Sequence, residues 1–372
     1  MRELLHNVSH ILYKGVAAAY KTKIGFLYDL SESGSSNTLF EATVLNSLAS
    51  CNKFLDFNAK ELTPELLVRS LALTCYKRAK TYGHIPQLFG LAIVEDKGYI
   101  YVALQTMSNT VCKSIKPKPL SAKRHSELIT EFVFKTMLQY LTIARPLSSR
   151  VLEYTCNSNT ALSQSIIPLL ENTTNAVYPF TDTPPEVIFS GSWDPLTQEH
   201  MYVASIAEVF CNSKVYFEVS MDTIRGPSLD LLDAERLIQQ FDNMYFVITK
   251  APTFLEKAKI FPNVTFVVGI DTWLKVIDPK YYAFPLDELI NRFNQYGSKF
   301  LVFGRQEGER WLTMSEDQTY DIARKVPQHT ISDTPEEDYE PEDVMRSILE
   351  IKSLPKPEDD NRRHKRKHVV GL

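Results

Sequence analysis

The 372-residue chain has no long hydrophobic run. No stretch reaches the roughly 18 apolar residues that mark a membrane helix, so no spanning segment is expected. Its first residues, "MRELLHNVSHILYKG", lack the apolar core and small-residue cleavage site of a secretory signal. Cysteine is scarce and scattered: five residues, at 51, 75, 112, 156 and 211, with no CxxC pair and no Cys/His spacing of a zinc site. An odd, dispersed set does not build a disulfide framework, so reduced thiols and a cytoplasmic protein are expected. A strong charge of one sign is also missing. The net charge of −4 speaks against general nucleic-acid binding by the folded body. No sequence repeat recurs, and the histidines form no constellation of a triad or metal site.

What is present is a globular composition, 44% hydrophobic and 11% aromatic, at a length that suits two or three domains. Residues 1–148 form a first block. "TPELLVRSLALTCYKRAKTYG" (63–83) has helical spacing, with Pro64 at its start and Gly83 past its end. "LFGLAIVED" and "YIYVALQTM" flank Lys97-Gly98 and read as a β-hairpin. Residues 122–144 read as a long amphipathic helix, so the block is α/β or α+β. Residues 149–186, rich in Ser, Thr, Asn and Pro, read as a connector with one short helix. Residues 187–352 then alternate strand and helix. Strands are expected at Val187–Ser190, Val215–Val219, Tyr245–Ile248, Thr265–Val268 and Phe300–Phe303. Helices are expected at 199–211, 228–241, 253–261, 271–277 and 286–296. That alternation predicts a mainly parallel, Rossmann-like sheet whose ligands sit beyond the carboxyl ends of the strands. The tail, 353–372, places Arg362, Arg363, Lys365, Arg366 and Lys367 behind an acidic, Pro-bearing stretch. Disorder is expected there. The run reads as a nuclear address for an import receptor or a contact for an anionic partner, with a plain solvated tail as the alternative.

One junction concentrates chemistry. In "VIFSGSWDPLTQEH" a buried strand ends at Ser190, Gly191 permits close backbone approach, and a helix begins near Thr197. The first turn of that helix offers unpaired N–H groups and a positive dipole end, which suits an anion. Thr197 and His200 share one side of it. A hydroxyl and an imidazole so placed can donate to phosphate oxygens, the positioning and charge stabilisation that phosphoryl and nucleotidyl transfer require.

The stretch "GSWDPLTQEH" resembles the G-[ST]-F-[DN]-P-x-[HT]-x-G-H signature of the nucleotidylyltransferase (cytidylyltransferase-like) superfamily. Further segments are similar in order: "FEVSMDTIRGPSLD" (217–230), "ITKAPTFLEKAKIFPNVTFVVGIDTWLKVIDPKYY" (248–282) and "FLVFGR" (300–305) resemble the nicotinamide-nucleotide adenylyltransferase-like branch. "SGSSNTLFEATVLNS" (33–47) and "TPELLVRSLALTCYKRA" resemble a CinA-like domain, a family that includes nicotinamide mononucleotide deamidases. The resemblance implies an α/β protein: a CinA-like α/β domain followed by a Rossmann-like nucleotidylyltransferase domain. It implies transfer of AMP from ATP, carried with Mg²⁺, to a mononucleotide such as nicotinamide or nicotinate mononucleotide, with release of pyrophosphate. Catalysis would fall to His200 and Thr197. Nucleotide binding would fall to Gly191, Ser192, Asp194, Gly269, Asp271, Arg305, Ser332 and Thr334. A homo-oligomer is compatible with the resemblance.

The chain also departs from the pattern. Glu199 stands where the family has Gly; two like charges about 4 Å apart repel by about 4 kcal/mol at an effective dielectric of about 20. Gly226 replaces a lysine and Thr223 an asparagine. "ISDTPEED" keeps Ser332 and Thr334 but adds Asp333, Glu336, Glu337 and Asp338 where a basic residue is expected. The alternative is therefore a nucleotide-binding or scaffold protein that keeps the fold without turnover. The first domain lacks the family's Gly-rich loop, so no catalytic residue is assigned to it and an amidohydrolase reading is weak. Trp273 is expected to stack or be buried, and Lys257 to be solvated.

Overall fold

The structure is a computed structural model that describes residues 13–22, 39–83, 85, 87–141, 161–180, 183–224, 226–241, 243–307, 310–315 and 320–326. The first elements are β1 (Lys14–Tyr20), β2 (Leu39–Leu45), α1 (Leu48–Leu55), α2 (Pro64–Ala79), β3 (Leu88–Asp96), β4 (Tyr99–Thr106), β5 (Thr110–Ile115) and α3 (Ala122–Leu141). Next come α4 (Ala161–Leu170), β6 (Ala176–Val177), β7 (Val187–Ser190), α5 (Gln198–Cys211), β8 (Val215–Ser220), α6 (Leu231–Ile238) and β9 (Phe246–Thr249). The rest are α7 (Phe254–Ile260), β10 (Thr265–Gly269), α8 (Ile270–Val276), α9 (Leu286–Gln295), β11 (Lys299–Phe303), β12 (Arg305–Glu307), β13 (Arg310–Leu312) and β14 (Ala323–Lys325). The elements expected from 187 onward lie within a few residues of these bounds. No helix among the described residues is long and apolar enough to cross a membrane. Cys51, Cys75, Cys112 and Cys211 are free thiols; Cys156 lies outside the described residues.

The chain divides into two compact units, Met1–Thr181 with Val219–Thr253, and Asp182–Glu218 with Phe254–Leu372. The first carries a mixed sheet in the order β2-β1-β3-β4-β5, with β1 parallel to β2 and β3 and the remaining pairs antiparallel. Its strands alternate between two cores. Ala17, Phe89, Leu91, Val102 and Leu104 pack with Phe132, Val133 and Met137 of α3. Val16, Ala18, Ala92 and Val94 pack with Leu67, Leu71 and Cys75 of α2. An alternation of two in β-strands, met by a helix on each face, gives this layered block. Gly90 sets how closely α2 lies on β3: a Cβ there would stand 2.1 Å from the Ala72 carbonyl oxygen and 2.3 Å from the Tyr76 nitrogen.

Residues 219–253, read from sequence with the second block, pack inside this first unit. The anchor is Arg69 on α2. Its Nε donates to Asp230 at 2.6 Å, and its Nη2 donates to Asp233. Asp230 in turn caps α6 through the Leu232 and Asp233 N–H groups. Burial alone would lower the Arg69 pKa, but the two carboxylates raise it well above its ordinary value. The short strands β6 and β9 pair antiparallel within the same unit.

The second unit holds parallel strands in the order β14-β11-β10-β7-β8. From β7 the chain proceeds to β8 on one side, and β10, β11 and β14 extend the sheet on the other. The order therefore reverses at β7, and the crevice beside its carboxyl end is where such sheets take ligands. Trp273 on α8 is fully buried against Phe300, so of its two expected placements the core is the observed one.

Candidate active site

The junction between β7 and α5 is built largely from its own side chains. The Gly191 N–H, expected to be free for a ligand, donates to the Glu218 carbonyl at 3.1 Å. The space a Cβ would take at Gly191 is filled by the indole of Trp193, 2.8 Å away. Trp193 is buried at a φ of 53°, a left-handed conformation that is uncommon for a bulky residue. It is held there by an indole N–H bond to the Glu218 carbonyl at 2.9 Å and by edge contacts with Phe189, Phe217 and His200. A strained residue fixed on several sides is what functional turns contain, and the inference runs from the outlier to the site.

Thr197 and His200 meet as the sequence spacing requires. Thr197 is the N-cap of α5: its hydroxyl accepts from the His200 N–H, while the Thr197 N–H donates to His200 Nδ1 at 3.1 Å. Nδ1 is thus the acceptor, and in the neutral ring the proton sits on Nε2. Burial lowers the His200 pKa, and neighbouring Glu199 partly offsets this. Among the described residues the N–H groups of Ser192, Gln198 and Glu199 have no hydrogen-bond partner. These three donors and Nε2–H belong to one strand-to-helix junction, next to the switch point. Asp194 precedes a cis bond to Pro195 and is exposed.

Of the other predicted residues, Gly269, Asp271 and Arg305 lie at the same edge of the sheet. Phe189 pairs with Val267, and Gly269 with Phe303, so the carboxyl ends of β7, β10 and β11 stand side by side. Gly269 caps α8, and a Cβ on it would meet nothing within 4 Å. Asp271 and Arg305 come together: Nε donates to Oδ2 at 2.5 Å, and Nη2 donates to Glu307 at 3.2 Å. Both carboxylates raise the Arg305 pKa. The guanidinium therefore faces two protein carboxylates. Thr223 and Gly226 belong to the first unit and share a hydrogen bond of 3.0 Å. Ser332, Thr334 and the basic tail lie outside the described residues. No group of three His, Cys, Asp or Glu side chains suited to a metal ion occurs among the described residues.

One feature of the site escaped the sequence reading. Lys257, expected in solvent, is buried on α7 and donates to both Glu218 carboxylate oxygens at 2.8 and 2.9 Å. Glu218 is fully buried on β8, and its carbonyl is the acceptor for Gly191 and Trp193. The signal was a single carboxylate inside the apolar run "VYFEVS", since a buried charge demands a partner.

No family model matches this chain, and no curated protein matches it. Among solved structures, the chain is similar to the competence/damage inducible protein CihA from Agrobacterium tumefaciens, at a TM-score of 0.31 and 16% identity over 37% of this chain and 93% of that one.

Proposed function

We propose that the β7–α5 junction binds the phosphates of ATP and that the chain transfers AMP to a mononucleotide, nicotinamide or nicotinate mononucleotide being the acceptors its motifs resemble. The observation that carries this reading is the Thr197–His200 pair. Fixing Nδ1 as an acceptor leaves Nε2–H as a neutral donor at the positive end of a 14-residue helix beside the switch point. In the reaction an acceptor phosphate oxygen forms a bond to the α-phosphorus, the bond from that phosphorus to the β-bridging oxygen breaks, and the electron pair leaves with pyrophosphate. The residues bind and orient; Nε2–H and the free backbone N–H groups offset negative charge that grows on the phosphates. Mg²⁺, bound to ATP as substrate, supplies charge neutralisation.

A second reading, a nucleotide-binding protein without turnover, is favoured by one observation: Glu199 stands in the first turn of α5, where its carboxylate already meets the positive end of the helix dipole. The two readings separate in one experiment. Purified full-length chain is incubated with ATP, Mg²⁺ and nicotinamide mononucleotide, and dinucleotide and pyrophosphate are followed beside ATP binding. Product formation supports transfer, with Glu199→Gly raising the rate. ATP binding without product in either form supports the second reading. Absence of ATP binding in both forms sinks the two together.

A further inference from the structure

We propose that a cavity of about 910 Å³ inside the first unit binds a small phosphate-bearing molecule with an apolar body, and that Lys80 and Lys250 hold its phosphate. The proposal concerns a site apart from the β7–α5 junction and does not rest on the transferase reading. The volume falls within the range of small-molecule sites. Leu73, Leu88, Met107, Leu170 and Leu229 supply apolar wall, so the space suits more than a bare ion.

Its polar part is unbalanced in a specific way. Three lysines line the cavity, with Asp222 and Glu171 as the acidic lining residues. Lys77 is satisfied: its ammonium donates to Asp222 at 2.8 Å and Ser228 at 2.9 Å. Lys80 and Lys250 are not. Lys80 donates to the Leu170 carbonyl, and Lys250 donates to Asn172 Oδ1 at 2.5 Å; both acceptors are neutral. Among the described residues neither ammonium lies within 4.0 Å of a carboxylate oxygen. An ammonium carries three donors, so each keeps two for another partner. Burial lowers the pKa of both groups. Glu171 raises that of Lys80 and Asp222 that of Lys250, while neighbouring lysines lower each. Two partly desolvated cations that share a cavity, bonded only to neutral oxygens, are what a dianion relieves. A phosphate monoester has the charge and the three terminal oxygens to accept from both, and its organic part can cover the apolar wall.

The test uses the full chain and phenyl phosphate as the probe, measured by titration calorimetry at low salt. Saturable binding of one probe per chain is expected, with Kd below about 1 mM. Lys80→Gln and Lys250→Gln keep an N–H donor for Leu170 and Asn172 while removing the charge. Each should weaken binding about tenfold, and the double variant should abolish it. Thr197→Val should leave binding unchanged. Benzoate, with a single charge, should bind more weakly. If a glutamine variant fails to fold, the native chain is labelled with pyridoxal 5′-phosphate and borohydride. Lys80 or Lys250 should be modified, and phenyl phosphate should protect them. Lack of saturation, full binding by the double variant, benzoate binding as tightly, or labelling that phenyl phosphate does not suppress would each overturn the proposal.

Discussion

Removing Lys257 tests how the junction is supported. The pair Lys257–Glu218 is buried on both sides, with side chains 6% and 0% exposed and a separation of 2.8 Å. At an effective dielectric of about 20, unit charges at that distance attract by about 6 kcal/mol. Taking the two ions out of water costs several kcal/mol for each, so the pair as a whole is close to neutral for stability. Deleting one partner is another matter. Lys257→Met leaves the Glu218 carboxylate buried without its cation and should cost about 3–5 kcal/mol. Glu218→Gln on that background removes the stranded charge and should restore most of the loss. A double-mutant cycle by urea unfolding measures this coupling, and the chain supplies its own probe. Trp193, Trp273 and Trp311 all fall in the second unit, so intrinsic tryptophan fluorescence reports the unit that holds the pair. If Lys257→Met costs less than about 1 kcal/mol, or if the double variant is no better than the single, the pair does not support β8.

Other consequences are as direct. The folded-state pKa of His200 lies below its ordinary value of 6.5, chiefly through burial, so the unfolded chain binds the proton more readily. Stability from this group is complete above pH 6.5 and falls as the pH drops through the folded-state pKa; unfolding midpoints from pH 7.5 to 5 should show the decline, and His200→Asn should flatten it. Gly90→Ala places a methyl group against backbone atoms of α2 at 2.1 and 2.3 Å, so the helix must shift. A loss of about 1–3 kcal/mol or more is expected from far-UV circular dichroism on urea titration, and a change within about 0.5 kcal/mol would contradict the packing described for α2 and β3.

The second block could be read from sequence because its strands are short apolar runs between helical patterns. The runs at 187–190, 265–268 and 300–303 are bounded by polar or turn residues, so local pattern and burial agree. Thr197 and His200 were legible for the same reason: a spacing of three on one helix turn fixes a contact. What could not be read depends on pairs far apart in the chain. Arg69 and Asp230 are separated by 161 positions, and nothing local tells that α6 packs with the first unit. The lysines at 80 and 250 come to one cavity by the same long-range folding. Gly191 shows a subtler limit. Its bareness was legible, but the occupant was not; the chain fills the space with its own Trp193.

The departures from the resembled motif do not weigh equally once the geometry is known. Arg305 is tied to Asp271, but the two side chains are 45% and 54% exposed. Such pairs contribute little in water, so an incoming triphosphate with more charge can exchange for Asp271 at small cost. Glu199 is different. It sits in the first turn of α5, where its own charge already satisfies the helix dipole that would draw a phosphate. A ligand must either displace that carboxylate or tolerate it, and among the described residues no ion pair draws it aside. The balance between binding and turnover therefore rests on Glu199 more than on Arg305. Glu199→Gly should accordingly change ATP affinity more than Asp271→Asn does, and the reverse order would place the control at Arg305.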